Sequence, residues 1–201
     1  MSDLFSGINL WEGLAVALAI AYLLLAMREN ILCWYCALLS TAIYTVLLWN
    51  VSLFMESALN VYYMAMAGYG WWQWRQGGGN QEGARIRTLD RSWHIFFILA
   101  ILLISAVNGY WLTEHTTAAW PYVDSMTTWA SVITTWMVAR KVLENWLYWI
   151  VIDGVSVFLY LDRGLYLTAL LFMGYVVIAV FGYLAWRRHY LAGLMPDPVH
   201  A

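Results

Sequence analysis

Residues 28–75 read RENILCWYCALLSTAIYTVLLWNVSLFMESALNVYYMAMAGYGWWQWR. Arg28 opens the stretch and Arg75 closes it, and between them lie two apolar runs, Ile31 to Trp49 and Leu53 to Trp74. Each is about 20 residues, the length of a membrane-spanning helix. The same layout returns at an offset of 112: Arg28 falls on Arg140, Trp34 on Trp146, Tyr63 on Tyr175, Gly70 on Gly182, Trp74 on Trp186 and Arg75 on Arg187. Leu47, Leu53, Leu59 and Ala67 fall on Leu159, Leu165, Leu171 and Ala179, and upstream Glu12 meets Asp124. Apolar chains align Leu and Ala by chance, but Trp, Tyr, Gly and Arg at run ends are much harder to match by accident. The stretch is therefore one half of an internal repeat.

Working outward, five further runs appear: Leu10 to Met27, Trp93 to Leu112, Trp120 to Ala139, Asn145 to Leu161 and Leu165 to Trp186. Seven spans consume about 140 of the positions and leave about 60 for all loops and termini. The chain has 201 residues, 63% of them hydrophobic, 17% aromatic and 11% charged. Soluble domains are about half apolar and a quarter charged, so this composition excludes an ordinary soluble enzyme and a nucleic-acid binder. The reading is an all-α integral membrane protein of seven transmembrane helices. Spans one to three repeat as five to seven, with one linker helix between, a parallel 3+1+3 arrangement as in SWEET-type carriers. The expected divisions are 1–75 for the first three-helix repeat, 76–117 for a loop and the linker helix, and 118–201 for the second repeat and tail.

Alternate connections lie on opposite sides. One side collects Arg28, Arg75, Arg85, Arg87, Arg91, Arg140, Lys141, Arg187 and Arg188, and the other only Arg163. Basic residues stay on the cytoplasmic side, so the N-terminus is expected outside and the C-terminus inside. Trp71, Trp72, Trp74 and Trp186 then sit at inner helix ends, the place of an interfacial aromatic belt. No basic leader precedes Arg28, so no signal peptide is expected. Cys33 and Cys36 read as small apolar residues packed on a helix.

Ionisable residues inside a span cost about 2.5 to 3.5 kcal/mol on insertion scales and usually face a cavity or partner. Asp153 is the clearest case, near the middle of the sixth span with Trp146, Trp149 and Tyr160 at helical spacing on roughly the same face. Glu56, Asn60, Tyr63 and Ala67 line one stripe of the third span, and Asp124, Thr128, Ser131 and Thr135 a stripe of the fifth. Departures from the repeat mark an asymmetric ligand: Asn60 stands opposite Phe172, Glu56 opposite Thr168, and Asp153 opposite Thr41. Acidic groups among aromatic rings suit a small flat organic cation, each ring contributing about 0.5 to 2 kcal/mol. Asp153 is the expected counter-ion, Asn60 and Glu56 hold polar substituents, and Trp49, Tyr63, Trp149 and Tyr175 are candidate ring platforms. Asp124, Thr128 and Ser131 form a secondary polar face.

The strings Arg28-Glu29-Asn30-Ile31-Leu32-Cys33-Trp34, Glu56 to Asn60, Tyr69-Gly70-Trp71-Trp72-Gln73-Trp74-Arg75, Glu144-Asn145-Trp146 to Asp153, and Arg163-Gly164-Leu165-Tyr166 to Trp186 resemble the PnuC family of bacterial vitamin transporters. The resemblance implies facilitated diffusion across the bacterial inner membrane, trapping of the vitamin by a cytoplasmic kinase, and a homo-oligomer, often of three protomers. It implies no cofactor and no catalysis. The nicotinamide riboside pattern has Gln where this chain has Asn60, Asn where it has Asp153, and Pro where it has Tyr35. An acid in place of an amide favours thiamine, the cargo of PnuT-type relatives, so thiamine leads here, with nicotinamide riboside as the alternative.

Other membrane classes fit less well. A retinal pump needs a lysine inside a span, and the sole lysine, Lys141, lies at a helix end. An intramembrane enzyme would have to use Asp153 with Glu56, because no spaced His and Cys metal set or nucleophile-plus-His arrangement occurs. Gly77 to Gly79 follow a helix and match no phosphate loop.

Overall fold

The computed structural model describes residues 10–50, 54–77, 83–116, 120–162 and 164–194. Seven α-helices run through these residues: α1 Leu10–Met27, α2 Cys33–Asn50, α3 Phe54–Gln76, α4 Arg91–His115, α5 Pro121–Ala139, α6 Asn145–Asp162 and α7 Tyr166–Ala192. α1 matches its predicted span to the residue, whereas α4 begins earlier and ends later and α7 continues past Trp186. Hydropathy stops at the first charges, but backbone hydrogen bonding does not, so these helices run on into polar sequence. α1, α2, α4 and residues Thr168–Ala192 of α7 are long and apolar enough to cross a membrane. α3, α5 and α6 hold the polar stripes that lower their hydropathy. The side chain of Glu56, and Arg163, Gly78 and Gly79, lie outside the described residues.

The helices divide into two compact units, Met1–Ala84 and Arg85–Ala201. In the first, α2 packs on α1 and α3. Trp34, in the first turn of α2, is buried and meets Trp74 of α3 edge-on, with ring centroids 5.3 Å apart and planes at 85°. Gly70 lets α3 approach, because a Cβ there would overlap the Trp34 ring. Two hydroxyls stitch the helices across their seams: Ser40 Oγ donates to the Ala15 carbonyl at 2.8 Å and Ser57 Oγ to the Thr45 carbonyl at 2.9 Å.

In the second unit α6 packs on α5 and α7, and α4 on α5. Trp146, in the first turn of α6, is buried and meets Trp186 of α7 edge-on at 5.5 Å and 88°. A Cβ on Gly182 would come within 2.7 Å of the Trp146 ring. The socket of the first unit thus recurs at the offset read from the sequence. Even its cost recurs, because the indole N–H groups of Trp34 and Trp146 are both buried without a hydrogen bond. Trp74 and Trp186 are therefore core residues and not members of an interfacial belt, at 6% and 0% exposure. Trp72 is exposed, and Trp71 lies under the Arg75 guanidinium, 5.2 Å from its carbon.

The joints before α2 and α6 share a backbone course as well. Glu29 and Lys141 adopt left-handed φ values of 54° and 51°. The amides of Asn30 and Val142 donate to the carbonyls of Leu25 and Met137, both at 2.9 Å. In the second unit the segment before α4 braces this joint: Arg87 N donates to the Lys141 carbonyl at 3.0 Å and Leu143 N to the Arg87 carbonyl at 2.8 Å. Asn145 is fully buried there, its Nδ2 donating to the Val142 carbonyl at 2.6 Å.

Candidate functional site

α6 has acceptable apolar partners along most of its length and one residue that does not belong among them. Asp153 lies eight residues from the start of α6, about 12 Å along its axis, and is 6% exposed. Among the described residues no hydrogen bond or ion pair reaches its carboxylate. A carboxylate this deep needs a compensating charge or donors, since an uncompensated buried ion costs several kcal/mol. Its counterpart in the first unit, Thr41, is locally satisfied, with Oγ1 donating to the Ala37 carbonyl at 2.8 Å.

On either side of Asp153 along the chain, α6 carries aromatic rings and a hydroxyl. Trp149, one turn before it, is half-buried and packs against Ile101, Ala130 and Ile152. Ser156, one turn after it, is buried and donates to the Ile152 carbonyl at 2.9 Å, leaving its oxygen able to accept. Tyr160 meets Phe172 at 4.9 Å between centroids, and Phe172 meets Tyr175 at 5.3 Å, so the rings form a run joining α6 to α7. Tyr175 and Tyr160 are thereby brought onto one aromatic seam, while Trp146 is committed to its socket and takes no part.

The polar face of α5 is largely turned onto its own backbone. Ser131 Oγ donates to the Thr127 carbonyl at 2.8 Å and Thr135 Oγ1 to the Ser131 carbonyl at 2.8 Å. Thr127 and Thr134 do likewise, to Val123 at 3.1 Å and Ala130 at 2.7 Å. Thr128 is half-buried, and Asp124 is exposed in the first turn of α5. In the first unit Asn60 and Tyr63 are half-buried on α3 and Trp49 is exposed near the end of α2. Tyr63 lies 5.6 Å from Tyr62 between ring centroids.

Sequence reasoning missed one polar group. His94 of α4 is stacked on Tyr148 of α6 with centroids 5.9 Å apart and shares a 3.0 Å hydrogen bond with its hydroxyl, and the Glu144 carboxylate lies 4.0 Å from His94 Nε2. The three residues come from segments about 50 positions apart, and no spacing rule within one helix joins them.

A family model described as nicotinamide mononucleotide transporter matches residues 9–188. Among curated relatives, nicotinamide riboside transporter PnuC of Escherichia coli (strain K12) is 25% identical over 187 residues, covering 81% of this chain and 78% of that protein. The riboflavin/roseoflavin transporter RibM of Streptomyces davaonensis is 22% identical over 126 residues, 61% of this chain and 59% of that protein. A solved structure, the crystal structure of the vitamin B3 transporter PnuC, superposes with a TM-score of 0.70 at 21% identity, covering 94% of this chain and 86% of that one. That likeness establishes the shared fold.

Proposed function

The chain belongs to the nicotinamide mononucleotide transporter family, that of PnuC, and on that premise we propose that it carries nicotinamide riboside or a close relative, a ribosylated heteroaromatic cation. The relatives above are named for nicotinamide riboside and riboflavin, which moves the lead from thiamine, the expectation drawn from sequence, to its alternative. The observation carrying the proposal is the buried Asp153 carboxylate on α6, the helix that also carries Trp149 and the Tyr160 end of the aromatic seam. A pyridinium ring supplies the missing positive charge, and ring faces add cation–π attraction. In this reading Asp153 is the counter-ion, Trp149, Tyr175, Tyr63 and Trp49 are ring contacts, and Asn60 and Glu56 bind ribose or amide groups. Asp124, Thr128 and Ser131 make a secondary polar face.

The recurring Trp–Gly–Trp sockets support two three-helix repeats, residues 1–75 and 118–201, flanking a linker of 76–117. In a bacterial inner membrane, basic loops favour an external N-terminus and an internal C-terminus. We further propose a homotrimeric carrier that runs down its gradient, with a cytoplasmic kinase trapping the vitamin as its phosphate.

Thiamine stays as a second reading because Asp153 replaces an amide of the nicotinamide riboside pattern, and a carboxyl group pairs with an aminopyrimidine. Counterflow into vesicles containing the purified protein tests the order. Saturable exchange of labelled nicotinamide riboside, unaffected by a pH gradient, is expected. Exchange of thiamine without nicotinamide riboside would reverse the two readings, and dependence on the gradient would replace facilitated diffusion with proton coupling.

A further inference from the structure

The second unit carries a trough of about 510 Å³ outside the Asp153 site. Its walls are Ile98 and Leu102 of α4 and Leu147, Val151 and Val155 of α6, over a floor that includes Ala130 of α5. Four of these wall residues are 42% to 63% exposed, so the trough is open and apolar at membrane depth. Of its four polar members, Thr127 of α5 is hydrogen-bonded to its own helix, and the other three, His94, Tyr148 and Glu144, cluster at one end, where α4 and α6 begin. From there the α4 wall runs about 12 Å to Leu102 and the α6 wall about 16 Å to Val155. The trough therefore covers roughly one leaflet of a hydrocarbon core about 30 Å thick.

The polar end asks for both signs of charge. Glu144 has Oε2 buried without a hydrogen bond, and its Oε1 is 4.0 Å from His94 Nε2, beyond hydrogen-bond length. Its side chain remains 20% exposed, so a donor arriving from the headgroup layer reaches it by a turn of the carboxyl group. Arg91, one turn before His94 on α4, is exposed and cationic. It stands at a helix N-terminus, where phosphate is favoured.

We propose that this trough binds one acyl chain of a membrane aminophospholipid, with its phosphate at Arg91 and its primary ammonium at Glu144. A choline headgroup has no N–H to donate to Glu144. A glycerol headgroup gives the carboxylate no cation.

Native mass spectrometry of the full-length protein, exposed to equimolar phosphatidylethanolamine, phosphatidylcholine and phosphatidylglycerol, tests this site without reference to the transported vitamin. The wild type is expected to retain one phosphatidylethanolamine, roughly tenfold in preference to either competitor, as a charge-assisted hydrogen bond allows. Glu144→Gln should remove that preference, and Val151→Trp should expel the lipid by filling the trough. Leu103→Trp, equally exposed but off the trough, should change nothing and controls for folding. Should Val151→Trp unfold the protein, Ile98→Trp reads the same occupancy from the opposite wall. Equal retention of the three lipids by the wild type overturns the proposal. So does lipid retention unchanged in a folded trough-filling variant, or a change of oligomeric mass in place of lipid loss, which would give the trough to a second copy.

Discussion

At the scale of single residues, Asp153 and the two socket glycines carry opposite kinds of information. Asp153 was legible in the sequence because an acid amid a long apolar run has no cheap structural use. Asp153→Asn should weaken binding of a cationic riboside by roughly 10- to 100-fold, the worth of a charge-assisted contact, while a neutral, reduced analogue is bound as before. Titration of the purified protein with both ligands checks this, and equal losses for both would remove the counter-ion role. The glycines matter for shape. Gly70→Ala and Gly182→Ala force a methyl into the Trp34 and Trp146 rings and should destabilise by about 1–3 kcal/mol. Gly68→Ala and Gly174→Ala meet nothing within 4 Å and should leave thermal unfolding in detergent unchanged or slightly raised, through helix propensity. The sequence marked Gly70 and Gly182 as aligned. It did not say that Trp74 and Trp186, one turn further on, face inward, because hydropathy reports depth in the membrane and not which side of a helix meets its neighbour.

Among the elements, the joints before α2 and α6 are closely specified connections. Their left-handed residues, Glu29 and Lys141, sit where β-carbon crowding disfavours most side chains. Proline fixes φ near −65°, opposite in sign to the 54° of Glu29. Glu29→Pro should therefore abolish recovery of folded protein, measured as monodisperse material after detergent extraction, while Glu29→Gly is recovered at wild-type levels. No residue type in RENIL or RKVLE announces such a turn, since neither supplies the usual glycine, and only the aligned positions hint at a common course. The His94, Tyr148 and Glu144 group was illegible for a related reason: helix packing, and no local period, brings it together. The Ser and Thr stripe of α5 was visible as polarity, but the direction of its hydroxyls depended on competition between neighbouring helices and the helix's own carbonyls.

For the whole molecule, the number, order and approximate bounds of the helices followed from apolar runs, and their family from strings spread over most of the chain. Each compact unit contains its own socket, and the glycine-rich connection at Gly77 to Gly79 lies between the last helix of one unit and the first of the other. A chain cut after Gly79 and co-expressed as two pieces should regain counterflow within a fewfold of the intact carrier, whereas a cut inside α2 or α6 should not. Activity lost on cutting after Gly79 would mean that the connection itself orders the carrier. The halves nevertheless differ in mechanical character. α1, LWEGLAVALAIAYLLLAM, has no Ser or Thr, while α5 lends five of its carbonyls to Thr127, Ser131, Thr134 and Thr135. Carbonyls shared in this way loosen a helix and let it bend. One leading helix is consequently a stiff strut and the other a pliable one, so that strain arising when the carrier changes shape is absorbed unevenly, mostly in α5.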